Sequence, residues 1–125
     1  MCVALMGASI LVQTQESSGT TTEKWRCFGE FDFDKKTALV RLTRVTKDDE
    51  RSGFGEVFVA GITHKALFQV EGLNRRWDFG KELRTGSYSY TFVIFPGGGG
   101  AYYDFSGVEL GGKTKARQFF DCVSP

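Results

Sequence analysis

Apolar and polar residues alternate over short stretches of this chain, most clearly between residues 88 and 105. Tyr88, Tyr90, Phe92 and Ile94 share one two-residue phase, whereas Ser87, Ser89 and Thr91 begin the other. Val93 and Phe95 carry apolar character onto that second phase, the pattern of a strand whose far end is covered on both sides. Pro96 ends the ladder because it has no backbone donor, and the four glycines at 97–100 permit left-handed backbone angles. Residues 101–105, Ala-Tyr-Tyr-Asp-Phe, return as a second aromatic strand. A large β-hairpin is predicted here.

The same pattern recurs upstream. Residues 25–33 put Trp25, Cys27, Phe31 and Phe33 on one face, with Phe28 the apolar exception on the other. After a turn at 34–37, residues 38–45 place Ala38, Val40 and Leu42 opposite Leu39, Arg41, Thr43 and Val45, which predicts a first hairpin. Residues 47–52 read as a charged turn. Residues 53–60 read as a strand in which Gly53 and Gly55 suggest a bulge or tight packing. A turn at 61–64 leads into a strand at 65–71, and a break at 72–74 precedes a short element at 75–79. Residues 81–86 are too few for a helix, residues 107–112 read as a flexible connection, and residues 116–123 supply the last strand.

No stretch sustains a helical apolar stripe. The chain is therefore expected to be all-β, a compact antiparallel barrel or barrel-like sandwich of about seven or eight strands. The barrel is preferred because closure removes unpaired edges. Residues 1–23 read as an apolar N-terminal tail and polar linker, and residues 24–125 as a single β domain.

At 125 residues the chain can bury a core without needing a disulfide or a metal. Twelve phenylalanines are conspicuous; such rings can fill a core, line a pocket or form a partner-binding surface. A formal charge of +1, from 16 Lys and Arg against 15 Asp and Glu, excludes the strong overall field of a general nucleic-acid binder. Cys2, Cys27 and Cys122 allow one disulfide at most. Cys27 and Cys122 lie in the first and last predicted strands, and the reading adopted is of reduced core thiols in a reducing, cytoplasmic setting. Residues 1–12 are apolar but too short for a membrane-spanning helix and lack the basic start of a secretion signal. They are expected to form a tail or an added strand, covered by a partner.

Candidate chemistry is sparse. The glycine run lacks the Lys-Ser/Thr ending of a phosphate loop and leads into a strand, so it reads as a mobile hairpin turn. His64, the single histidine, falls in a predicted turn, and no ligand spacing accompanies it. Asp48, Asp49 and Glu50 read as solvated loop surface. Asp78 and Asp104 each stand beside aromatics and would do proton-transfer chemistry only if they shared a cavity. No nucleophile elbow or Cys-His spacing is present. Neither catalysis nor a cofactor or metal is expected.

The reading that fits most of the pattern is a non-enzymatic β-domain that binds another protein, or a second copy of itself, and contributes to an assembly. Its expected contact residues are Arg75, Arg76, Trp77, Tyr88, Tyr90 and Tyr102, and strand edges offer themselves to a partner strand. The alternative is a small barrel enclosing an apolar small molecule against Phe31, Phe33, Phe92 and Tyr102. A third reading is single-stranded nucleic acid on a cationic, aromatic face that adds Lys113, Lys115 and Arg117. Ring direction in the 88–105 hairpin discriminates among these readings.

Overall fold

The computed structural model describes residues 19–107 and 118–125, and the structural statements below concern those residues. They form eight strands: β1 (Thr20–Gly29), β2 (Val40–Lys47), β3 (Ser52–Val59), β4 (Ile62–Glu71), β5 (Asn74–Glu82), β6 (Tyr88–Ile94), β7 (Gly99–Asp104) and β8 (Gln118–Val123). Each strand pairs antiparallel with the next, and β8 returns to pair with β1, closing a barrel in sequence order. The barrel expectation holds and the sandwich does not. Among the described residues β8 meets β1 only over Arg26–Gly29, so the Thr20–Trp25 part of β1 pairs with β2 alone.

Several boundaries differ from the sequence reading, each for a physical reason. β1 begins at Thr20, inside the stretch read as polar linker. Its inward position there is Glu23, a charge, so no apolar alternation announces the strand. β1 also stops at Gly29, leaving Phe31 and Phe33 in the connection to β2. The turn read at 61–64 is instead the two-residue connection Ala60-Gly61, with φ of 52° and 79°. Positive φ at both central residues matches the right-handed twist of a hairpin. His64 consequently lies within β4. β5 runs on to Glu82 through an irregularity after Phe79. There Gly80 has φ 89° and a Cβ on it would stand 2.2 Å from Ser89 Oγ, while the Lys81 amide donates to that oxygen at 2.9 Å.

The glycine run is more structural than its flexibility suggests. Gly97 and Gly98, with φ of 94° and 100°, make the turn. Gly99 and Gly100 already belong to β7. The Cys122 amide donates to the Gly98 carbonyl at 2.8 Å, which ties the turn to β8. Gly100 leaves space inside the barrel, since a Cβ there would lie 2.7 Å from Cys122 Sγ and 3.1 Å from Phe92. The expected mobile turn is thus an anchored one.

The lumen is filled by side chains. Trp77, Phe79, Phe92, Ile94, Leu42 and Val57 are fully or almost fully buried within it. Phe68 meets Trp77 edge-on at 4.9 Å, and Phe92 lies 5.5 Å from Phe120 and 6.3 Å from Tyr102. Trp77 Nε1 donates to the Thr43 carbonyl at 2.8 Å. This approach is open because residue 55 is glycine: a Cβ there would lie 3.0 Å from that nitrogen.

Cys27 and Cys122 face one another across the β1–β8 seam and are joined as a disulfide, which corrects the reading of two reduced thiols. The pairing follows from closure: the first and last strands become neighbours, and both cysteines point inward at the same rung.

Candidate functional site

The sequence-predicted contact residues divide between the two sides of the wall. Successive strand residues point to opposite faces, so Arg75 and Trp77 face the lumen while Arg76 faces out. Trp77 is 0% exposed and cannot meet a partner. Tyr90 and Tyr102 point inward, in ring contact with Phe79 at 5.5 and 6.2 Å, and Tyr88 is half-buried at the start of β6. Of the six, Arg76 alone stands outward on the wall; the expected single patch does not assemble.

The predicted ligand-lining set is separated too. Phe31 and Phe33, 82% and 85% exposed, lie in the β1–β2 connection, whereas Phe92 is core. None of the grooves described below is lined by these residues or by Tyr102. Lys113, Lys115, Arg117 and residues 1–12 lie outside the described residues.

At one end of the lumen a charged cluster replaces apolar packing. Glu23 accepts from Arg75 Nε at 2.7 Å, Arg75 Nη2 at 3.0 Å, Arg44 Nη2 at 2.9 Å and Trp25 Nε1 at 3.0 Å. Arg44 also donates to Thr46 Oγ1 at 2.6 Å and lies over the Phe68 ring. Burial alone would raise the Glu23 pKa, but the hydrogen bonds from Arg75, Arg44 and Trp25 and the charge of Arg44 outweigh it and bring it down to about 2. This arrangement holds strands β1, β2 and β5 together; Arg44 Nε is the one buried nitrogen of the cluster without a hydrogen-bond partner among the described residues.

At the opposite end His64 lies 5.1 Å from Phe79 and 6.3 Å from Tyr90. Burial, with Tyr90 and Asp104 nearby, pushes the Tyr102 phenol up to about 12, so it stays protonated at neutral pH. Among the described residues no group of three or more His, Cys, Asp and Glu is placed to hold a metal. Asp78 pairs in register with Thr91, and Asp104 with Tyr90, adjacent positions of β6. The two carboxylates therefore occupy opposite faces and cannot share a proton. Asp78 instead accepts from Thr91 Oγ1 at 2.6 Å and Arg76 Nε at 3.1 Å.

The outer wall carries a feature the sequence reading missed. Val45, Phe54 and Leu67 are cross-strand partners on β2, β3 and β4, all pointing outward, and are 44%, 70% and 43% exposed. They form an apolar ridge. On one side lies a groove of about 500 Å³ whose floor is Gly55 and Ala66 and whose far wall is Thr43, Glu56 and Lys65. On the other lies a groove of about 480 Å³ bordered by Ser52, Gln69, Lys47 and Glu50. Around the wall the same row continues through Asp78 and Thr91 to Tyr103. Tyr103 stacks on Phe105 at 6.0 Å and borders a smaller groove of about 290 Å³ with Arg76, Val93 and Phe95. Arg76 there is engaged by Asp78 and by Glu71, at 3.1 and 3.3 Å.

Among the described residues no helix is long and apolar enough to cross a membrane. Comparison with protein-family models, curated proteins and solved structures finds no match to this chain.

Proposed function

We propose that this barrel is a non-enzymatic domain that binds another protein through its β2–β4 outer wall and contributes to an assembly. The observation that carries the reading is the Val45–Phe54–Leu67 ridge, three adjacent apolar side chains held outward between two grooves. Exposed aromatic surface of this kind is costly in water and supplies localised binding energy when covered. At the ridge the β3 backbone is already paired on both sides, so a partner there reads side chains. The packed lumen weighs against the apolar-ligand alternative. The division of Arg75 and Arg76 between two faces weighs against a single-stranded nucleic-acid platform.

The disulfide supports maturation in an oxidising compartment over the cytoplasm. The test is size measurement of the chain in native extract, comparing wild type with Phe54→Lys. The wild-type chain is expected to migrate above its 13.9 kDa mass and the variant to migrate as free chain. Migration of both as free chain rejects the reading.

A further inference from the structure

The protein-binding reading leaves the partner open, and the ridge narrows it. We propose that the β2–β4 ridge is a two-fold self-association surface whose occupant is a second copy of this chain. The inference rests on the reading above and names its partner.

Two properties of the face support self-association. A two-fold contact sets one patch against itself, so each part of the patch must match its own reverse. Phe54 and Leu67 are register partners on β3 and β4, so a two-fold axis running along the strands between them sets Phe54 of one copy against Leu67 of the other. Apolar ridge then covers apolar ridge, and Phe54 and Leu67, 70% and 43% exposed in the single chain, are withdrawn from water in both copies. Charge makes the second argument. Glu56 and Lys65 are register partners on the far wall of the groove beside the ridge. The axis that sets Phe54 against Leu67 also sets Glu56 of one copy opposite Lys65 of the other, twice per contact. Lys47 and Glu50 repeat the mixed signs on the other side. A face with both signs at close spacing complements its own reverse, whereas a partner of one dominant sign would meet like charges.

The test is the weight-average mass of the purified full chain by light scattering, followed from low micromolar to submillimolar concentration. The wild-type mass is expected to rise from 13.9 kDa towards twice that value. F54K should move the midpoint to at least about tenfold higher concentration. F33K, at a still more exposed phenylalanine away from the ridge, should leave it in place. E56K and K65E should each weaken association and the double variant should restore it. Far-UV circular dichroism confirms that each variant folds, since all four positions are outside the core. A wild-type mass fixed at 13.9 kDa, equal effects of F33K and F54K, or no restoration in the double variant overturns the proposal. A purified chain that stays monomeric yet migrates in a larger native assembly overturns self-association alone. A chain that is monomeric in both settings overturns the protein-binding reading with it.

Discussion

Glu23 and Arg75 are joined inside one end of the barrel by two hydrogen bonds, 2.7 Å to Nε and 3.0 Å to Nη2. That fork fixes Arg75 inward, and strand alternation then turns Arg76 outward, which is why two consecutive arginines do not make one cationic surface.

The same pair sets an acid response. The folded-state pKa of Glu23 is depressed to about 2 from 4.5, so its stabilisation is fully present above about pH 4.5 and lost as pH falls towards 2. Glu23→Gln is expected to cost about 2 kcal/mol at neutral pH, less than for a fully buried pair because the site is partly solvated. The variant should also show a shallower loss of stability than wild type across that acidic window. Urea unfolding at stepped pH checks both. Parallel curves for the two proteins would contradict the assignment.

The β1–β8 seam gives a second prediction. Cys27 and Cys122 are separated by 95 residues, and a cross-link closing a loop of that length typically stabilises by about 3–5 kcal/mol. Reduction, or the double substitution C27A/C122A, should lower the thermal midpoint and raise hydrogen exchange at the Cys122 amide ahead of the β3–β4 amides. Unchanged exchange in β8 after reduction would count against a seam held by this bond.

Neighbouring glycines should respond oppositely to the same change. Gly100→Ala puts a Cβ 2.7 Å from Cys122 Sγ, and overpacking of this kind costs about 1–3 kcal/mol. Gly99→Ala meets nothing within 4 Å, at a backbone φ that is not positive, and should be neutral or slightly stabilising. Denaturant midpoints of the two variants decide it; equal destabilisation would mean that the whole run is needed for turning.

Much of the fold was legible because alternation reports burial directly. Tyr90, Phe92 and Ile94 are inward in the barrel, as their shared phase requires. What stayed hidden depends on contacts between distant residues. Thr20–Glu23 looked like linker because the inward residue is a carboxylate whose partners, Arg44 and Arg75, lie 21 and 52 positions away. Cys27 and Cys122 could be placed in the first and last strands, but their bond depends on the rung at which the sheet closes. The ridge was the least visible feature. Phe54 lies between Gly53 and Gly55, where the glycines draw attention to a bulge, and an apolar residue reads alike whether it faces lumen or water. Only the register joining Val45, Phe54 and Leu67 shows three outward side chains in one row.

Hydroxyl-radical footprinting of the ridge tests the central claim most directly, because it reads coverage of Phe54 in the assembled state. Oxidation of Phe54 and Leu67 is predicted to fall as the chain assembles, while Phe33 stays as reactive as in the free chain. Undiminished oxidation of Phe54 in the assembled state, or equal protection of Phe33, would contradict the β2–β4 wall as the binding face.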